Sequence, residues 1–107
     1  MRPGMYGYMR LAANSHEGDE SEAIKRELTA HAEREGFALE QMFVEQVQAI
    51  EPAFDCLTAA LRGGGARDVI VPSLWHFARL PGLQKAMRDH IEREIGARIW
   101  IVQGVQW

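Results

Sequence analysis

The sequence predicts an α/β fold, a small three-layer sandwich whose mainly parallel sheet has four strands, with room for a fifth, between layers of helix. Three observations lead there. The spacing of the apolar residues switches repeatedly between a period near two and a period near four, and Gly, Pro or a polar cluster marks each switch. The run "DVIVP" at 68–72 is short and β-branched, the composition of a central parallel strand buried on both faces. Predicted strands also alternate with predicted helices along the whole chain, an order that right-handed crossovers over a parallel sheet satisfy.

The elements follow in turn. Met5 to Leu11 is short and apolar or aromatic, which suits a strand, and the polar run "ANSHEGDE" follows as a loop. Asp19 with Glu22 three residues later forms a capping pair for a first helix, on which Ile24, Leu28 and Ala32 stack at every fourth position until Gly36. Phe37, Leu39 and Phe43 alternate as a second strand with a polar interruption at Gln41. Pro52 suits the first turn of a second helix because its missing N–H has no partner there anyway. Phe54, Leu57 and Leu61 give that helix its apolar face, and "RGGGAR" ends it. After the third strand, Leu83, Met87, Ile91 and Ile95 step every four residues to Gly96, and "RIWIV" supplies the fourth strand.

Composition bounds the function. With 107 residues, 47% of them hydrophobic and 25% charged, the chain has the make-up of one ordinary globular domain over 1–107. No apolar run approaches the ~18 to 20 residues that cross a bilayer, and "MRPGM" lacks a signal-peptide pattern, so the expected location is cytoplasmic with no membrane partner. A formal charge of -3 leaves little net positive field for a phosphate backbone, so DNA binding by the chain alone is expected to be weak or absent. The single Cys56 lies among apolar residues and reads as a core thiol. No pair of histidines has the spacing of a helical metal pair, and no cofactor or metal is expected.

In open α/β sheets, ligands gather beyond the carboxyl ends of the strands. Four loops qualify: 12–19, 45–51, 72–79 and the tail from Gln103. Arg10, His76 and Arg79 stand at the first and third of these and form a candidate anion-binding set, since a guanidinium offers planar paired donors to phosphate or carboxylate. His16 reads as a solvated loop residue, and His31 and His90 as boundary residues on helices. Trp75, Phe77 and Trp100 suit a core or an interface better than base stacking. The triple glycine lacks the "GK[ST]" of a phosphate loop and follows a helix, where a strand is required.

Taken in order, these pieces resemble a family. "GYMRLAANS" resembles the "GYxRVS" opening of the serine recombinase catalytic domain, the resolvase and invertase family. "ELTAHAEREGF" looks like its first helix running into the second strand, "EPAFDCLTAAL" like its "RPxFxxLLxxL" helix, and "DVIVPSLWHFAR" like its "DxLVVxxLDRLxR". The likeness runs from Tyr6 to Val102 and implies a resolvase-like or flavodoxin-like fold. It also implies an enzyme that breaks and rejoins DNA through a serine hydroxyl, with several arginines stabilising the phosphate.

At the reactive positions the chain departs from that pattern. Ala12 matches the serine nucleophile, Trp75 the acid and His76 the first arginine of "LDRLxR"; Glu51 replaces the arginine that opens the second-helix motif. Only Arg10 and Arg79 remain, and an alkyl group cannot form the phosphoserine bond. The expectation is a degenerate, catalytically inactive member of the fold, used for association with a second copy or another protein, or for regulation. Trp100, Val105 and Trp107 are the expected apolar contact groups, and the expectation for 1–107 is a single resolvase-like domain without the long helix and DNA-binding domain that the resemblance implies. Two alternatives stand beside it: a flavodoxin-like module binding a small anion through Arg10 and Arg79, and a residual DNA-cleaving enzyme using Ser15.

Overall fold

The fold is seen in a computed structural model that describes residues 3–10, 17–45, 53–73, 76 and 81–102. Four strands, β1 (Gly4–Arg10), β2 (Ala38–Glu45), β3 (Asp68–Val71) and β4 (Arg98–Ile101), form one sheet in the order β2-β1-β3-β4. Every pairing is parallel. Three helices alternate with them: α1 (Glu17–Arg34), α2 (Ala53–Arg62) and α3 (Pro81–Asp89), the last running into a π turn at His90–Ile95. The α/β class, the element order and the parallel four-stranded sheet are those the sequence predicts.

The sheet separates two cores. On one face α1 brings Ile24, Leu28 and Ala32 onto Met5, Ile70, Leu39 and Trp100. On the other, α2 and the π turn bring Leu57, Leu61 and Ile91 onto Tyr6, Tyr8, Phe43, Val69 and Val71. Val69, Ile70 and Val71 are all fully buried, so β3 is covered on both faces as its β-branched run requires. Each fully buried aliphatic side chain contributes on the order of 1.5–3 kcal/mol through surface removed from water.

Four details differ from the sequence reading. Helix α1 begins at Glu17, so Asp19 lies within it and cannot be its N-cap. The simple alternation of Phe37, Leu39 and Phe43 is broken by a β-bulge: Met5 pairs with Leu39 but Tyr6 pairs with Gln41, which leaves Glu40 unpaired. One extra residue reverses every later side chain, so Leu39 joins the α1 core and Phe43 the opposite one, edge-to-face on Tyr6 with ring centroids 5.6 Å apart. Trp100 is half-buried in the α1 core and is no part of an exposed patch: its indole N–H donates to Asp68 Oδ1 at 3.0 Å and its ring packs on Phe37. Val105 and Trp107 lie outside the described residues, as does Pro52.

The fourth difference concerns the last helix. Met87, Ile91 and Ile95 repeat at intervals of four, longer than the 3.6 residues of an α-turn. An unbroken α-helix would carry this row steadily around its axis and away from the core. The wider π turn takes up the excess: the Gly96 N–H donates to the Ile91 carbonyl at 3.0 Å, five residues back, and Ile91 is fully buried with Ile95 packed beside it. Gly96 closes the segment in the left-handed region at φ 85°, and Gly36 ends α1 at φ 87°; the sequence places both stops correctly.

Candidate functional site

Strands β1 and β3 are neighbours, yet the helix after β1 lies on one face and the helices after β2 and β3 lie on the other. Such a reversal opens a crevice beyond the carboxyl ends of the two strands, where α/β folds place ligands. Arg10 is the last residue of β1, and His76 follows β3. The structure brings these two predicted residues together, in an unpredicted way. The Arg10 backbone N–H donates to His76 Nδ1 at 3.0 Å, and His76 is buried, 8% exposed. An Nδ1 that accepts carries no proton, so in this bond the imidazole is neutral and adds no positive charge to the crevice. Arg79, Ala12, Ser15, His16, Trp75, Phe77 and Glu51 lie outside the described residues.

Beside Arg10 sits a second constellation that the sequence reading missed. Glu45 ends β2, and its carboxylate accepts three hydrogen bonds. Oε1 accepts from the Tyr8 hydroxyl at 3.3 Å and from the Phe54 N–H at 3.2 Å, and Oε2 accepts from the Ala53 N–H at 3.1 Å. The carboxylate thus serves the otherwise unpaired N–H groups at the start of α2, where a negative charge also meets the positive end of the helix dipole. Tyr8 is 1% exposed, with its ring edge-to-face on Phe54. The readable signal was position: a Glu at the carboxyl end of a parallel strand, just before a helix.

Tyr8 is held in its protonated form well above the ordinary phenol value. Burial is the main cause, followed by the Glu45 charge and hydrogen bond, while the Arg10 guanidinium works in the opposite direction. Its contribution to stability is therefore complete below about pH 10 and is lost as pH rises beyond it, because the unfolded chain then releases the proton more readily. Denaturant unfolding across the alkaline range should show wild type losing stability faster than Tyr8→Phe; parallel curves would show that Tyr8 does not control this limb.

The electrostatics of this pole are set by the strand ends and first helical turns. The described ones place the carboxylates of Glu45 and Asp55 there, together with Arg10. Among the described residues no group of three or more His, Cys, Asp or Glu could hold a metal ion, and no helix is long and apolar enough to cross a membrane.

No sequence-family profile and no curated protein matches the chain. Solved structures do. The C-terminal catalytic domain of ISC1926 TnpA, an IS607-like serine recombinase, superposes with a TM-score of 0.77 at 16% identity, covering 97% of this chain and 70% of that one. A resolvase family site-specific recombinase from Streptococcus pneumoniae gives 0.76 at 20% identity, over 95% and 73% of the two chains. The N-terminal catalytic domain of TP901-1 integrase gives 0.74 at 18%, over 94% and 78%. Likeness at this level of identity is a likeness of architecture, and the architecture is that of the serine recombinase catalytic domain.

Proposed function

We propose that this chain is a recombinase-fold domain that does not cut DNA and is used for protein association. The observation that carries the reading is the charge of the crevice. A phosphodiester entering it meets the carboxylates of Glu45 and Asp55 beside Arg10 on the described strand ends and helix starts. Transfer of a phosphoryl group needs the opposite, donors and cations aimed at the oxygens where charge develops. The neutral His76 stands where the resemblance implies an arginine, and Ala12 where it implies the nucleophile. The hydrophobic and backbone parts of the fold persist beside a reversed reactive pole, which is the pattern of a scaffold kept for contact with other proteins.

Incubation of the chain with supercoiled DNA, followed by denaturing electrophoresis, is expected to give neither nicks nor a covalent protein–DNA adduct. Ala12→Ser is expected to leave that result unchanged, because a hydroxyl alone does not restore the cations. An adduct formed by the natural chain and lost in Ser15→Ala would overturn the reading in favour of a residual nuclease. Light scattering over a wide concentration range is expected to show mass above the monomer, the signature of association.

A further inference from the structure

Helices α1 and α2 bury Leu28 and Leu57 completely, whereas α3 has no buried residue and Met87 is what anchors it to the cluster beneath. Its outer face carries charge in a definite order. Lys85, Arg88, Asp89 and Glu92 line one open hollow of about 460 Å³ that continues from α3 into the π turn. They fall at i, i+3, i+4 and i+7, the spacing that gathers side chains on one helix face. Read along the chain, their charges run positive, positive, negative, negative. Within the helix Lys85 Nζ donates to Asp89 Oδ2 at 3.0 Å and Arg88 Nε donates to Glu92 Oε1 at 3.2 Å. One such bond uses only part of the donor capacity of an ammonium or guanidinium and part of the acceptor capacity of a carboxylate. Each group is therefore able to take a second partner from outside.

We propose that a second copy of this chain docks on this stripe, α3 and the π turn of one molecule lying antiparallel on those of the other. The proposal rests on the association reading above and names its surface. The order of charges is its own complement. A two-fold axis between Arg88 and Asp89 sets Lys85 against the copy's Glu92 and Arg88 against the copy's Asp89, and symmetry repeats both contacts. A parallel arrangement instead sets like charges together, which costs free energy, so the pattern selects the antiparallel one. Both copies use the same patch, so the contact closes at the dimer. Exposed ion pairs are individually worth little, and the product is a weak dimer that salt dissociates.

Sedimentation equilibrium of the full chain tests this. At low ionic strength the average mass is expected to rise with concentration and level off at the dimer, and to fall toward the monomer at about 0.5 M salt, where such charges are screened. Lys85→Glu with Arg88→Glu, and separately Asp89→Lys with Glu92→Lys, are each expected to weaken self-association at least ~tenfold, while a mixture of the two variants associates. All four substitutions together are expected to restore the dimer, because the reversed order is again its own complement. That fourfold variant also keeps both pairs within the helix, so it separates loss of the contact from loss of the fold, with unfolding curves as the check. A dimer untouched by both twofold variants, a folded fourfold variant that stays monomeric, or mass that climbs past the dimer overturns this surface while leaving the association reading in place. A strict monomer at every concentration overturns both.

Discussion

Glu45→Ala is expected to destabilise the domain by about 2–4 kcal/mol. Two losses combine. The start of α2 gives up the carboxylate that accepts from Ala53 and Phe54, a helix-capping role worth about 0.5–2 kcal/mol. The Tyr8 hydroxyl loses its Glu45 acceptor in a 1%-exposed position, at a cost of about 1–3 kcal/mol. A double-mutant cycle separates the two: Tyr8→Phe should cost stability in the natural background and much less in Glu45→Ala, where the Tyr8–Glu45 bond is already lost. Urea denaturation with unchanged slopes measures this, and strictly additive costs would show that the Tyr8–Glu45 bond contributes nothing.

Gly65→Ala is expected to cost about 1–3 kcal/mol, for a steric reason alone. Gly65 has an ordinary φ, but a Cβ there would overlap Tyr6 Oη and lie 3.2 Å from Tyr6 Cζ. The tyrosine cannot swing away easily, because it is 8% exposed and its ring is fixed edge-to-face on Phe43. Removing only the oxygen should therefore relieve the clash, so Gly65→Ala combined with Tyr6→Phe is expected to be more stable than Gly65→Ala alone. Thermal unfolding of the three variants decides it; a double variant less stable than either single one would mean that the backbone at Gly65, and not the Tyr6 contact, sets the cost.

Most of the architecture was legible because it rests on periodicity and punctuation. Leu57 and Leu61, or Ile24 and Leu28, declare helix faces by spacing, and "DVIV" declares a buried strand by composition alone. What the spacing hid was each place where one residue was added to a regular element. Glu40 bulges from β2 and changes the face of Phe43, while the sequence shows only a polar interruption. The row Met87, Ile91, Ile95 has the four-residue spacing of an ordinary amphipathic helix and so does not betray the π turn at His90–Ile95.

The site was legible in location and not in wiring. Arg10 ends β1 and His76 follows β3, strands that are neighbours in the sheet, so the ends of these strands place them at the crevice. That they meet through a backbone N–H and an imidazole nitrogen depends on side-chain rotation and burial, which no spacing encodes. Glu45 escaped notice for a related reason: its partners are two main-chain N–H groups and a phenol 37 positions away in the chain.

The position of β1 in the sheet has a consequence for how the chain is made. Its residue Gly4 pairs with Ala38 on one side, while Tyr6 and Gly7 pair with Val69 and Ile70 on the other. During synthesis the first partner emerges well before the second. For that interval β1 presents a bare row of backbone donors and acceptors flanked by two tyrosines, which neighbouring nascent chains are able to pair with. The yield of native protein should thus depend on how quickly β3 leaves the ribosome, and crowding of polysomes becomes the hazard for a fold whose finished form conceals that edge.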